Sequence, residues 1–170
     1  ALHSLPKKRR RVAVFLPHPY LGGTLNMVKL LAKMIREGSK ERDDEVEVVF
    51  AHLDSGVYSP TDFEDLKKHG IQLRRFKWKK INEYQLNEIQ ALQGFEVRVR
   101  SGHFALPVDG ATDFLDCDFW MMGTDRLDEP LAPLRPYVLF AHDYLQRYFP
   151  DLMPDWYERP FIQTAREAIA

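Results

Sequence analysis

A single cysteine, Cys117, stands among 170 residues. One thiol closes no internal disulfide, so the fold must hold by burial alone, and a reducing, cytoplasmic setting is expected over that of a small secreted scaffold. Charge of one sign is also lacking: 24 Lys and Arg face 25 Asp and Glu, a formal net charge of −1. Counterion-release binding draws on a concentrated cationic excess, so no specific nucleic-acid partner is expected. No apolar run approaches the ~18–20 residues of a membrane span, and the opening ALHSLPKKRRR lacks the apolar centre of a signal peptide. The dinucleotide fingerprint Gly-x-Gly-x-x-Gly and the P-loop pattern Gly-x4-Gly-Lys-Ser/Thr are both missing. There is no internal repeat, low-complexity tract or evident linker. What is present is 45% hydrophobic and 12% aromatic content. At about 100–200 residues per domain this makes one domain, burying roughly 70% of the surface of its unfolded chain.

The basic run Lys7 to Arg11 reads as a solvated lead-in over residues 1–11. Residues 12–16, Val-Ala-Val-Phe-Leu, are continuously apolar and bounded by Pro17 and Pro19, as a strand buried on both faces requires. After Gly22 and Gly23, Leu25, Val28, Leu31 and Ile35 recur at three and four. That spacing predicts a helix over 25–37, with Thr24 as its cap and Gly38 as its stop. A second buried strand is expected over 45–53, a short helix after Ser59-Pro60 ending at Gly70, a third strand over 71–78, and a helix over 82–93. Phe95, Val97 and Val99 alternate with charged residues, which predicts an edge strand or hairpin arm. Residues 118–122 and 137–141 are two further short strands, and residues 155–170 read as helical around Pro160.

Strands alternating with helices predict an α/β fold with a mostly parallel sheet and helices on both faces. Ligands of such sheets bind beyond the carboxyl ends of the strands. The residues that follow the strands therefore become the candidates: His18, Tyr20, Gly22, Gly23, Asp54, Ser55, Thr124, Asp125, His142 and Asp143. The segment from Pro17 to Thr24 is the most pointed of these. Paired glycines let a ligand approach backbone N–H groups, and a helix N-terminus aims roughly half a positive charge at the same spot. A phosphate or a sugar oxygen suits such a place, although two glycines also make an ordinary tight turn.

The order of three features is similar to the N-terminal domain of GT-B glycosyltransferases, in particular the retaining family 4 enzymes that use nucleotide-sugar donors. They are the first strand running through Gly22-Gly23-Thr24 into an amphipathic helix, the strand ending in a polar loop over 118–125, and Pro136-Tyr-Val-Leu-Phe-Ala-His-Asp143. The resemblance spans most of the chain. It implies a Rossmann-like three-layer sandwich over residues 12–170, an acceptor-side domain whose donor-binding C-terminal domain is absent here. It also implies that Gly22, Gly23 and Thr24 lie against the donor diphosphate or sugar. His142 would stand beside the reacting sugar, and His18, Tyr20, Asp54, Asp125 and Asp143 would orient loops or meet acceptor hydroxyls. No tightly bound cofactor is implied; the nucleotide-sugar is a substrate, and the acceptor is a saccharide or a lipid-linked one. The family's basic pair and Glu-x7-Glu motif have no counterpart here, so the chain alone is expected to transfer nothing.

Other constellations remain open. His18, His52 and His142 follow strands, but no close ligand spacing joins them with Asp54 or Asp143 into a metal site. Arg74, Arg75, Lys77, Lys79 and Lys80 interleave with Phe76 and Trp78. Such a strip either protects a sheet edge or meets an anionic membrane surface. Cys117 begins a buried strand without a matched histidine and reads as a core residue. A non-enzymatic alternative is an α/β regulatory module of the receiver type, although His18 stands where a receiver needs acidic residues.

Overall fold

The computed structural model describes residues 9–41, 46–94, 96–99 and 101–141. His142, Asp143 and the expected helix over 155–170 lie outside the described residues. The strands are β1 (Arg10–Leu16), β2 (Val46–Leu53), β3 (Gln72–Asn82), β4 (His103–Val108), β5 (Phe119–Met122) and β6 (Tyr137–Leu139). The helices are α1 (Gly22–Glu41), α2 (Glu64–Lys68), entered through a 3-10 turn at Pro60–Phe63, and α3 (Glu83–Gln93). The architecture is α/β: one curled, mostly parallel sheet of six strands in the order β4-β3-β2-β1-β5-β6. Among the described residues only the β3–β4 pair is antiparallel.

The apolar runs of β1, β2 and β5 are explained by burial on both faces. Along β1, Ala13 and Phe15 enter one core while Val14 and Leu16 enter the other. β2 repeats the split with Val49 and Ala51 against Val48 and Phe50. One face is covered by α1 and α2 through Leu25, Val28, Ala32, Phe63 and Leu66. The other is covered by Leu86 of α3, by β4 and by the loop residues Phe114, Leu127, Leu131 and Leu134. Phe15 centres this second core, its ring 5.3 Å from Phe76, 4.8 Å from Phe114 and 5.8 Å from Trp120, all edge-to-face. Each such pair adds about 0.5–1.5 kcal/mol beyond the area it buries.

The sheet curls because β3 changes partner along its length. Residues 72–76 pair with β2, and residues 77–82 pair with β4. β3 therefore runs on to Asn82, beyond the expected 71–78, and is an inner strand. Asn82 then caps α3, its side chain accepting from Gln85 N at 3.0 Å.

Three expectations are corrected. The helix after β1 does not begin at 25 or stop at Gly38: Gly22 and Gly23 form its first turn, Thr24 is its third residue, and it runs to Glu41. A mid-helix glycine costs about 1 kcal/mol, and here buried Ser39 bonds back to Arg36 O at 2.8 Å while Arg36 reaches Val46 O at 2.8 Å. The alternation expected at 95–99 builds no strand over its described residues: 96–99 join no ladder, and Val97 is 42% exposed. The antiparallel partner of β3 is β4, whose Phe104, Ala105 and Leu106 are all buried. Four successive residues of β4 are buried, on both faces of the strand, so its sequence shows no two-residue period; its outer edge meets the segment at Leu131. Finally, Arg10 and Arg11 belong to β1, not to a lead-in over 1–11. Arg11 is held there by Glu47 and Asp116, both at 2.6 Å. Among the described residues no helix is long and apolar enough to cross a membrane.

Candidate functional site

The strand order reverses at β1, which is flanked by β2 on one side and β5 on the other. The chain leaving β1 turns toward α1 while the chain leaving β5 passes to the opposite face. A crevice opens between such diverging loops, at the carboxyl ends of the strands. His18, Tyr20, Gly22, Gly23, Thr124 and Asp125 all belong to these two loops and to the start of α1.

α1 begins at Gly22 with φ +62°, a left-handed conformation that glycine adopts without strain. Nothing lies within 4 Å of where a Cβ would stand at Gly22 or Gly23, and both residues are exposed. The first turn carries no acidic side chain to occupy its N–H groups. The positive dipole end of a twenty-residue helix thus lies at exposed residues.

The loop that delivers this helix is pinned from three sides. Pro17 and Pro19 have no N–H, so the segment makes few backbone bonds of its own, and side chains supply donors to its carbonyls. Trp78 Nε1 donates to Pro17 O at 3.0 Å. The Tyr58 hydroxyl donates to His18 O at 3.2 Å and Tyr20 O at 2.9 Å. His18 Nε2 bonds Arg126 O at 2.5 Å, and because a carbonyl only accepts, this nitrogen carries the proton. That bond ties the β1 loop to the β5 loop across the crevice. Burial pushes the Tyr58 hydroxyl up to about 12, so it stays a donor at any ordinary pH.

The β5 loop is fixed by packing. Gly123 N donates to Phe15 O at 2.8 Å. A Cβ there would stand 2.5 Å from Val28 Cγ2 and 2.7 Å from Phe15 O, so only glycine lets β5 end against α1. Thr124 and Asp125 follow, both buried, and Thr124 Oγ1 accepts from Arg126 N at 3.2 Å. Phe140 N donates to Met122 O at 2.9 Å, so the chain leaving β6 emerges at the same pole.

Not every candidate gathers here. Asp54 turns toward β3, at 3.8 Å from Arg75 and 3.7 Å from Lys77. His52 packs flat on Phe63 at 4.6 Å, with Tyr58 edge-on at 5.4 Å, and burial lowers its pKa. It is a half-buried residue at the β2 end, packed on the aromatic rings beside it. No group of three His, Cys, Asp or Glu among the described residues is placed to hold a metal. Of the basic strip, Arg74 turns inward to Asp109, Asp116 and the face of Phe114, at 4.1 Å, and Lys80 pairs with Glu129. Arg75, Lys77 and Lys79 remain on the surface. Burial pushes the Cys117 thiol up to about 12, which leaves it a buried, un-ionised thiol.

Sequence reading missed Tyr58, Trp78 and Gly123. Each had a signal: an aromatic with a polar tip in an otherwise polar loop, an aromatic among cations, and a glycine directly after a buried strand.

A larger hollow, about 650 Å³, lies at the opposite end of the sheet and includes Arg11, Glu47, Asp116, Asp118 and Arg135. Its charges are already engaged. Arg11 holds Glu47 and Asp116, and Arg135 donates to the carbonyls of Leu115, Cys117 and Leu134 and to Gln93. The candidate site is taken at the other pole, where Gly22 and Gly23 are exposed at the start of α1. Comparison of the chain with protein-family models, with curated proteins and with solved structures finds no match.

Proposed function

We propose that the crevice between the β1 and β5 loops receives the diphosphate and sugar of a nucleotide-sugar, and that the chain is the Rossmann-like, acceptor-side domain of a retaining glycosyltransferase of the GT-B type. The observation that carries this reading is the open N-terminus of α1 at Gly22 and Gly23, located where the strand order reverses. Parallel strands β3-β2-β1-β5-β6 follow the doubly wound order, whereas a receiver module has its third strand beside its first.

The chemistry asked of this site is electrostatic. Loss of a nucleoside diphosphate from a sugar needs positive charge at the departing oxygens and stabilisation of the oxocarbenium-like centre, more than a strong protein nucleophile. The N–H groups of Gly22, Gly23 and Thr24 supply fixed donors whose orientation costs nothing at the moment of reaction. His18 and Tyr20 sit on the pinned loop before them, and buried Asp125 lies on the opposing loop, where a carboxylate can accept from sugar hydroxyls. His142 and Asp143, beyond the described residues, follow the strand that leaves at this pole, and the resemblance gives them the reacting sugar and the acceptor. The donor-binding half belongs to a second domain. The basic surface residues Arg75, Lys77 and Lys79 are compatible with an anionic membrane that presents a lipid-linked acceptor.

The test is sugar transfer from a panel of radiolabelled nucleotide-sugars to saccharide and lipid-linked acceptors. This chain alone should transfer nothing. The same chain joined to a donor-binding domain should transfer, and Gly23→Asp, which sets a carboxylate against the helix N-terminus, should abolish that transfer. Transfer by residues 1–170 alone, or full transfer by the Gly23→Asp variant, would overturn the reading.

A further inference from the structure

Adjoining the glycine crevice and sharing His18 with it, the second half of β3 and the end of the β5 loop line a groove of about 180 Å³. Half-buried Trp78 and buried Leu127 line it together with His18 and Ala105, and its charged lining is Lys79, Lys80, Asp128 and Glu129. Ligand sites for larger molecules run to ~300–1,000 Å³. This one has room for one small ring and not for a nucleotide.

The indole is fixed before any ligand arrives. Trp78 is half-buried, its Nε1–H is committed to Pro17 O at 3.0 Å, and Phe76 meets it edge-on at 5.1 Å and 88°. A platform held this way loses little side-chain freedom on binding. The charged lining comprises two cations and two anions, so its formal charge is zero, and Lys80 already pairs with Glu129. A charged ligand would gain little from such a lining. A ligand with an apolar face and a polar edge would stack on the indole and meet Lys79 as donor and Asp128 as acceptor.

We infer that this groove binds a single neutral pyranose ring, its C–H face on Trp78 and its hydroxyl edge on Asp128 and Lys79. The choice of a sugar among neutral amphipathic rings rests on the transfer reading above. The groove and its fixed platform do not.

Saturation-transfer NMR on the full chain tests this with the methyl glycosides of glucose, mannose and galactose and with N-acetylglucosamine. Inorganic pyrophosphate serves as the separate probe of Gly22 and Gly23. At least one pyranoside should receive saturation at its ring C–H protons. Affinity should fall at least tenfold in Trp78→Ala and severalfold in Asp128→Asn, with pyrophosphate binding unchanged in the latter. Should Trp78→Ala fail to fold, because its N–H holds the β1 loop, the exposed Asp128→Asn decides alone. No saturation with any pyranoside, or binding unaltered by Asp128→Asn, overturns the sugar groove. Loss of pyrophosphate binding in the parent chain strikes the transfer reading instead.

Discussion

The two ends of the sheet are built on opposite principles. At the amino ends of the strands, side-chain charges close on one another: Arg11 bridges Glu47 and Asp116, and Arg74 bridges Asp109 and Asp116 while lying over Phe114. The loop beneath them is equally closed. Asp109 accepts from the N–H groups of Ala111, Thr112 and Asp113, and buried Phe114 is held at φ +58°, a conformation costing about 1–3 kcal/mol that the surrounding contacts over-determine. At the carboxyl ends the polar groups are backbone, and Gly22 and Gly23 at the start of α1 are exposed. The first end fastens three strands together; the second holds a loop still through Trp78, Tyr58 and His18. A hollow's size therefore says less than whether its polar groups are already spent.

Breaking the fastened end should cost the most. Arg74 is 11% exposed and Asp109 7%, and removing one partner of so enclosed a pair typically costs about 3–5 kcal/mol. Arg74→Ala should lower the melting temperature strongly while the folded fraction binds pyrophosphate as the parent does. An equal loss of binding would mean that the two ends are not separable. Gly123→Ala attacks the other end, since its Cβ meets Val28 and a backbone oxygen. Overpacking of this kind costs about 1–3 kcal/mol, and here binding should fall together with stability, as read by paired thermal and titration experiments.

Acid sharpens the same contrast. Burial tends to raise the Asp116 carboxyl, yet bonds from Thr112, Arg74 and Arg11 prevail and hold it at about 2 against an ordinary 3.8. Its stabilisation is complete above about pH 4 and is lost as pH falls toward 2, on the order of 2 kcal/mol. Asp65, held at about 2 by Lys29 and Lys33 despite burial, adds a smaller and more screened amount in the same direction, because it is 38% exposed. Denaturant unfolding at pH 6, 5.5 and 2.5 should show stability level between the first two and falling at the third, with Glu47, also held low by Arg11, sharing in the loss, and Asp116→Asn should reduce that fall. The smallest effect is expected for Tyr58→Phe. It removes the donor to two loop carbonyls for about 1 kcal/mol, and pyrophosphate affinity should weaken severalfold with little change in melting temperature.

Much of the fold was legible because it is carried by local pattern. Short apolar runs at 12–16 and 45–53, the three-and-four spacing after Leu25, and Asn82 before a helical stretch all report their elements directly. The errors arose where a distant partner decides. Nothing near Phe104, Ala105 and Leu106 says that a strand will lie between β3 and Leu131, while of the alternation at 95–99 Val97 is exposed and Val99 alone is seen to pack against the core among the described residues. Arg74 looked like one cation in a surface strip, and its inward turn depends on Asp109 and Asp116, more than thirty residues away. The site was legible in outline, because chain order places Gly22 and Gly23 after the first strand. The bonds from Tyr58 and Trp78 that hold its loop became visible only in three dimensions.

Backbone amide NMR during titration with inorganic pyrophosphate tests the central claim most directly. The account predicts shifts concentrated at Gly22, Gly23 and Thr24 and at Thr124 to Arg126, with Arg11, Cys117, Asp118 and Arg135 unmoved. Shifts confined to the hollow around Arg11 and Arg135 would place the anion site at the opposite end of the sheet and contradict it.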